Sequence, residues 1–285
     1  MPQASSTGDL NRTRNAGRVL ICAGSDSGGG AGIQADIKAV TALGGFAMTA
    51  ITALTAQDTR GVHGVVGVAP EFIRLQMRVV LEDLGADALK TGMLADSATI
   101  AAVCEALAAH APGIPLVADP VMVAKGGHPL LAPEAVATVK ERLLPMAAVI
   151  TPNIPEAEAL SGLAIPDVPA MHRAAEALLR MGARAVLLKG GHGSGAALTD
   201  LLATPEGTEA FESARLETRH THGTGCTLAS ALACGIAQGM ALREAVVRAR
   251  AYVRAAMLAA PGFGSGHGPL GHGVTMDPSR VEKLL

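Results

Sequence analysis

At 285 residues, 49 % of them hydrophobic, the chain can build one large α/β domain or two small ones, and no apolar run is long enough to span a bilayer. A formal charge of −2 gives no means of capturing nucleic acid or an anionic membrane surface, so neither is expected as a partner. Cys22, Cys104, Cys226 and Cys234 are widely spaced without a C-x-x-C, which argues against a disulfide framework or zinc site and points to a reducing cytoplasm. With four Phe, one Tyr and no Trp, the core must be built from Ala, Val, Leu, Ile and Met. The first seventeen residues are polar and lack the apolar centre of a signal peptide. Arg12 and Arg14 hint at a transit sequence, but Asp9 and the missing amphipathic stripe argue against one. A disordered lead-in over 1–17 and a single domain over 18–285 are expected.

Residues 18–23 read as a buried first strand, followed by a glycine-rich loop from Gly24 to Gly32. The next helix carries Ile33, Ile37 and Val40 on one face and stops at Gly44-Gly45. Strand, glycine loop and helix open a βαβ unit. No Lys-Ser/Thr follows the glycines, so this is not a P-loop, and Ile33 stands where the dinucleotide fingerprint counted from Gly28 needs its last glycine. Residues 46–55 are rich in Thr, Ile and Ala, and the chain turns at Gln57-Asp58-Thr59-Arg60-Gly61. A helix over 70–84 precedes a short strand over 87–91 that ends in Gly92-Met93. A second helix over 97–110 precedes a strand over 114–118 ending in Asp119-Pro120.

Beyond Lys125-Gly126-Gly127, a helix over 133–144 leads to a strand over 147–151. Pro152-Asn153-Ile154-Pro155-Glu156 begins another helix, and an amphipathic one follows over 170–181. The strand 184–189 runs into Gly190-Gly191-His192-Gly193, and an antiparallel pair is expected over 197–202 and 209–215. A last helix covers 242–259, and the glycine-rich tail reads as a capping loop. Strands alternating with helices imply a mostly parallel central sheet with helices on both faces. Ligands then lie at the carboxyl ends of the strands.

The chain is organised around Thr221-His222-Gly223-Thr224-Gly225-Cys226-Thr227, which leads into a helix striped by Leu228, Leu232, Ile236 and Met240. A glycine turn feeding a helix N-terminus presents unpaired N–H groups at the positive end of the dipole, a site for phosphate. The same field lowers the pKa of a first-turn thiol such as Cys226 and readies it as a base or nucleophile. The plain alternative is a loop-to-helix connection with a buried cysteine.

Other candidates sit at strand ends. Asp119 and Glu156 suit Mg²⁺ held on a nucleotide's phosphates, or are a turn carboxylate and a dipole-favoured helix carboxylate. Lys189 meets a phosphate or is a surface lysine. Asp36 binds a substrate donor or faces solvent. Gln57 offers a donor and an acceptor to an aminopyrimidine edge or a pyridine ring, or is a turn residue. Lys125, flanked by glycine, neutralises an acceptor phosphate in a second transfer or is a solvated loop lysine.

From about Val19 to His272 the motifs resemble the hydroxymethylpyrimidine and phosphomethylpyrimidine kinases of thiamine biosynthesis, in the ribokinase-like superfamily. The resemblance rests on residues 23–36, Thr52-Ala53-Leu54-Thr55-Ala56-Gln57, Lys90-Thr91-Gly92-Met93-Leu94, Asp119-Pro120-Val121-Met122, residues 151–157, Leu188-Lys189-Gly190-Gly191-His192 and residues 221–227. It implies a three-layer α/β ribokinase-like fold with an eight- or nine-stranded sheet, and usually a homodimer. It also implies transfer of the ATP γ-phosphate to 4-amino-5-hydroxymethyl-2-methylpyrimidine, and in many members a second transfer giving the diphosphate.

By position the resemblance places Asp36 and Gln57 on the pyrimidine, with Ala31, Met93 and Val121 closing the pocket. Asn153, Glu156 and Lys189 would serve ATP and Mg²⁺, with Lys125 and Thr227 beside the nucleotide and Asp119 sharing the metal. The N–H groups of Gly223, Thr224 and Gly225 would take developing charge while Cys226 accepts the hydroxyl proton. Much of the superfamily has an aspartate where this chain has Cys226, which places it with the pyrimidine branch. Some bacterial pyridoxal kinases share that cysteine. A pyridoxal kinase and a non-catalytic pyrimidine-binding sensor are the rival readings.

Overall fold

A computed structural model describes residues 16–124, 126–191, 197–277 and 279. Among them, nine strands form one sheet: β1 (Arg18–Asp26), β2 (Phe46–Gln57), β3 (Val62–Gly67), β4 (Ala88–Thr91), β5 (Leu116–Ala118), β6 (Val149–Ile150), β7 (Val186–Leu188), β8 (Ala197–Thr204) and β9 (Gly207–Ala214). Their order across the sheet is β3-β2-β1-β4-β5-β6-β7-β8-β9. β1 pairs in parallel with β2 and β4, and β4 to β7 continue in parallel. β3 at one edge and β8 and β9 at the other run antiparallel.

Successive residues of a strand face opposite sides, so a strand covered on both sides reads as an unbroken apolar run. In β1, Val19 and Ile21 meet α1 (Gly32–Ala42), α7 (Thr224–Ala237) and α8 (Leu242–Leu258). Leu20 and Cys22 face the other layer, which holds α2 (Pro70–Asp83), α3 (Ser97–His110), α4 (Ala135–Thr138), α5 (Ile154–Ser161) and α6 (Val168–Arg180). This is the expected three-layer arrangement, with a mostly parallel sheet between two helical layers.

Four local expectations are corrected. The reading passed directly from the turn at 57–61 to the helix at 70, and β3 lies between them. Five of its six residues are exposed, so its sequence carries no in–out alternation, and pairing with β2 (Leu54 opposite Val66) holds it. The helix expected over 133–144 is broken: α4 opens into a π turn (Val139–Leu143) and a 3₁₀ turn (Leu144–Met146). Pro145 cannot continue the ladder, and the wider turn lets Val139, Leu143 and Leu144 all reach the core. On α1 the inward face is Ile33, Asp36, Ala39 and Val40, while Ile37 is exposed. Gly17, expected within the lead-in over 1–17, belongs to the fold, its carbonyl accepting from Phe46 N–H at 3.0 Å at the foot of the sheet. Residues 1–15 lie outside the described residues.

Candidate active site

The carboxyl ends of the parallel strands open on a cavity of about 1360 Å³. Of the expected pyrimidine contacts, Ala31, Gln57, Met93 and Val121 line it. Of the expected nucleotide and metal contacts, Asp119, Asn153, Glu156 and Lys189 line it too. The turn residues Gly223, Thr224, Gly225 and Cys226 complete the set.

Two glycine loops meet here. β1 ends in Asp26, whose carboxylate accepts the N–H groups of Gly28 (2.8 Å), Gly30 (3.1 Å) and Ala31 (2.8 Å). The same carboxylate pairs with His222 Nε2 at 2.9 Å, tying the first loop to the second. Burial raises the Asp26 pKa, but the bonds from His222, Ala31 and Gly28 outweigh it and leave the pKa below the ordinary value. Gly223 takes the left-handed conformation, with φ of 79°, where a Cβ would overlap the carbonyl oxygen of Gly30. It is the N-cap of α7 and has no side-chain cap, and residues 223–226 line the cavity at this helix start, with Thr224 N–H on Thr221 O at 3.4 Å.

Below the turn lies a polar row built by strand register. Lys90, Asp119, Thr151 and Lys189 each stand at or just past the carboxyl end of a neighbouring parallel strand. Asp119 Oδ1 accepts from Thr151 Oγ1 and Lys189 Nζ, both at 3.0 Å. Asn153 and Glu156 form a capping box at the start of α5, with Glu156 N–H on Asn153 Oδ1 (2.9 Å) and Asn153 N–H on Glu156 Oε2 (2.8 Å). Burial, opposed by Lys189 and reinforced by Asp119, pushes the Glu156 carboxyl up to about 7.

This shift has a measurable sign. The folded protein keeps a proton on Glu156 that the unfolded chain releases from about 4.5, so stability present at low pH is lost as pH rises toward about 7. Glu156→Gln removes the titration. The unfolding free energy of wild type relative to Glu156→Gln should therefore fall by on the order of 2–3 kcal/mol between about pH 4.5 and 7.5. Denaturant titrations at several pH values would read this, and a flat difference would show that the carboxyl ionises as it does in water.

Three expectations are corrected here. Asp36 neither lines the cavity nor faces solvent: it is wholly buried and bonded to Lys90 Nζ (2.9 and 2.8 Å) and Ser230 Oγ (2.7 Å). A carboxylate so enclosed needs a cation, and Lys90 supplies it. Thr227 is also buried outside the cavity lining, with its hydroxyl on His272 Nε2 at 2.9 Å, where it holds the tail. The net shift of the Cys226 thiol is upward: burial pushes it up to about 11, against the pull of Lys90. Lys125, His192 and Gly193 lie outside the described residues.

Sequence reading missed Asp26, Lys90 and the pair Asp200–Arg250. Asp200 Oδ1 accepts Gly190 N–H (2.9 Å), and its Oδ2 accepts from Arg250 Nε (2.8 Å) at the edge of the same cavity. Asp26 carried a signal, an aspartate closing a strand ahead of three glycines, where its side chain satisfies loop amides. Lys90 carried one too, as a lysine following Ala88-Leu89 inside a short strand between two helices.

A family profile described as Phosphomethylpyrimidine kinase matches residues 26–271. The thiamine biosynthesis bifunctional protein ThiED of Geobacter sulfurreducens is 51 % identical over 256 residues, 90 % of this chain and 52 % of that protein, so the chain spans about half of that relative's length. The hydroxymethylpyrimidine/phosphomethylpyrimidine kinase of Streptomyces coelicolor is 48 % identical over 255 residues, covering 90 % of this chain and 94 % of the relative. An ADP complex of Bacillus subtilis pyridoxal kinase superposes with a TM-score of 0.85 at 35 % identity, over 91 % of this chain and 98 % of that one. With the profile spanning both glycine loops and the polar row between them, this chain belongs to the phosphomethylpyrimidine kinase family.

Proposed function

We propose that the chain transfers the γ-phosphate of ATP to 4-amino-5-hydroxymethyl-2-methylpyrimidine and then phosphorylates the monophosphate to the diphosphate, in thiamine biosynthesis. The observation that carries this reading is one cavity joining a carboxamide suited to a pyrimidine edge, Gln57, with an amide-lined turn at 223–226 and a cation at Lys189. Met93 would pack on the ring, its backbone held by Thr52 Oγ1 on Met93 O at 2.7 Å. Lys189 and the amides of the turn would take the charge of the moving phosphoryl group, and Cys226 its acceptor's proton.

Asp119 and Glu156 fit a hydrated Mg²⁺. They are two oxygen-donor carboxylates lining one cavity, the donor type that a hard cation takes, with water free to complete the shell. Magnesium would neutralise phosphate charge there. The reading includes a single kinase domain over 18–285 and a homodimer, which would cover the exposed apolar side chains of Leu54, Val65, Val66 and Phe72. The free thiols Cys22, Cys104, Cys226 and Cys234 suit a cytoplasmic setting, and no helix among the described residues is long and apolar enough to cross a membrane.

Pyridoxal phosphorylation is the second reading, favoured by the likeness to the Bacillus subtilis enzyme. Steady-state kinetics with ATP and each acceptor separately decides between them. kcat/KM for the pyrimidine and its monophosphate should exceed that for pyridoxal. A reversed order would make this a pyridoxal kinase, and binding without turnover would leave a sensor. In the same assay Gln57→Ala should raise the pyrimidine KM roughly ten- to a hundredfold and leave the ATP KM nearly unchanged. A fall in ATP affinity instead would move Gln57 to the nucleotide side.

A further inference from the structure

Lys90 is wholly buried, and no step of the reaction above uses it. Its Nζ donates to both oxygens of Asp36, and Ser230 Oγ donates to Asp36 Oδ1. Ser230 stands one helical turn beyond Cys226 on α7, so the two side chains share a face, the one turned to Asp36 and Lys90. The backbone amide of Gly32, the first residue of α1, lies beside the Cys226 sulfur and favours its thiolate. Neither α1 nor α7 has a side-chain cap at its N-terminus, so the positive ends of two helices meet at one sulfur.

We propose that Lys90 is a positioning residue for phosphoryl transfer: its ammonium, held by Asp36, is the counter-charge that permits Cys226 to ionise. The proposal rests on Cys226 acting as the base. In that step the acceptor O–H gives its proton to the thiolate as the new P–O bond forms, the bond to the β-phosphate oxygen breaks and ADP leaves. The thiol then returns the proton to solvent.

Four charged groups face Cys226: Lys90 from β4, Asp36 from α1, Asp119 after β5 and Lys189 after β7. Lys90 favours the thiolate, while Asp36 and Asp119 oppose it. A carboxylate beside a sulfur that must ionise is at first sight misplaced. Without it, a lysine so enclosed would shed its own proton and offer no charge at all. Asp36 keeps Lys90 charged, with both carboxylate oxygens engaged by Lys90 and one also by Ser230.

The test is alkylation of Cys226 by iodoacetamide as a function of pH, with Cys226→Ala as the blank for Cys22, Cys104 and Cys234. Lys90→Met should lower the rate at about pH 9 by roughly tenfold or more. Asp36→Asn, which takes away the anion that keeps Lys90 charged, should lower it as well. A fall in both variants is the electrostatic signature. If the pair were only a structural staple, breaking it from either side would loosen the site and raise both rates, and that result overturns the proposal, as does an unchanged rate in either variant. Should Lys90→Met fail to fold, Lys90→Met/Asp36→Leu replaces the buried pair with apolar groups, a change such sites often accept. Its rate should fall below wild type by less than that of Lys90→Met, and a rate equal to or above wild type overturns the assignment. Alkylation needs no turnover, so a dispensable Cys226 in the kinase assay would be a different failure, that of the base assignment.

Discussion

Cys226→Ala should lower kcat about 10²- to 10⁴-fold, the usual range for removing a positioned general base, while leaving the fold and the ATP KM nearly unchanged. The side chain stands in the first turn of α7, lines the cavity, and packs against the amide of Gly32. The residues assigned to the nucleotide, Asn153, Glu156 and Lys189, come from other elements and keep their bonds to one another and to Asp119. Because burial pushes the thiol up to about 11, only a small fraction is ionised near neutrality. The rate with wild type should therefore climb about tenfold per pH unit until another step limits it. Cys226→Ser restores most of the volume but ionises far less readily, so it should stay close to the alanine variant. Serine recovering wild-type turnover would show that the thiol packs and does not move a proton. An alanine variant with near wild-type kcat would end the base assignment.

The parts of this site that were legible in the sequence are those written in local patterns. Asp119 and Lys189 end apolar strands, and the turn at 221–227 announces a helix start by its glycines and threonines. Alternating strands and helices then fix that all of these lie at one end of the sheet. What was not legible depends on partners far apart in the chain. Lys90 and Asp36 are 54 residues apart, and Asp26 and His222 are 196 apart. No period or spacing relates them, so neither segment by itself shows that Asp36 is taken up by Lys90 inside the fold. Ile37 fits the helical stripe better than Asp36 does, yet the carboxylate is the inward residue because a buried lysine waits for it. The thiol misled for a related reason: a helix dipole can be read from position, whereas desolvation depends on everything packed around the sulfur. β3 escaped because an exposed edge strand held by pairing with its neighbour needs no hydrophobic pattern.

The two glycines of the turn should separate fold from function when each is replaced by alanine. Gly223 is at φ of 79°, where a side chain costs about 1–2 kcal/mol, and its Cβ would overlap the Gly30 carbonyl. The two loops pass close together at that point, the Gly223 backbone against that of Gly30, and the Asp26–His222 pair ties them. A methyl group must therefore push them apart, at a further cost of about 1–3 kcal/mol. Gly223→Ala should accordingly lose about 2–5 kcal/mol and several degrees of Tm, and activity toward every acceptor should collapse with it. Gly225 is not in the left-handed region, and a Cβ there meets only Lys189 Nζ at 3.3 Å and Asp119 Oδ2 at 3.7 Å. Gly225→Ala should keep a Tm within a degree or two of wild type, since the neighbour that must give is the end of a flexible side chain. Its methyl group nevertheless stands between the amides of the turn and Lys189, where the transferred phosphoryl group is placed. Removing one such preorganised contact typically costs on the order of 10²–10³ in rate. Thermal melts and kcat measured on both variants would check the contrast. Equal losses of Tm would mean that the turn is rigid throughout. A fully active Gly225→Ala would place the phosphoryl group elsewhere in the cavity, away from the face that Lys189 and Asp119 present to the start of α7.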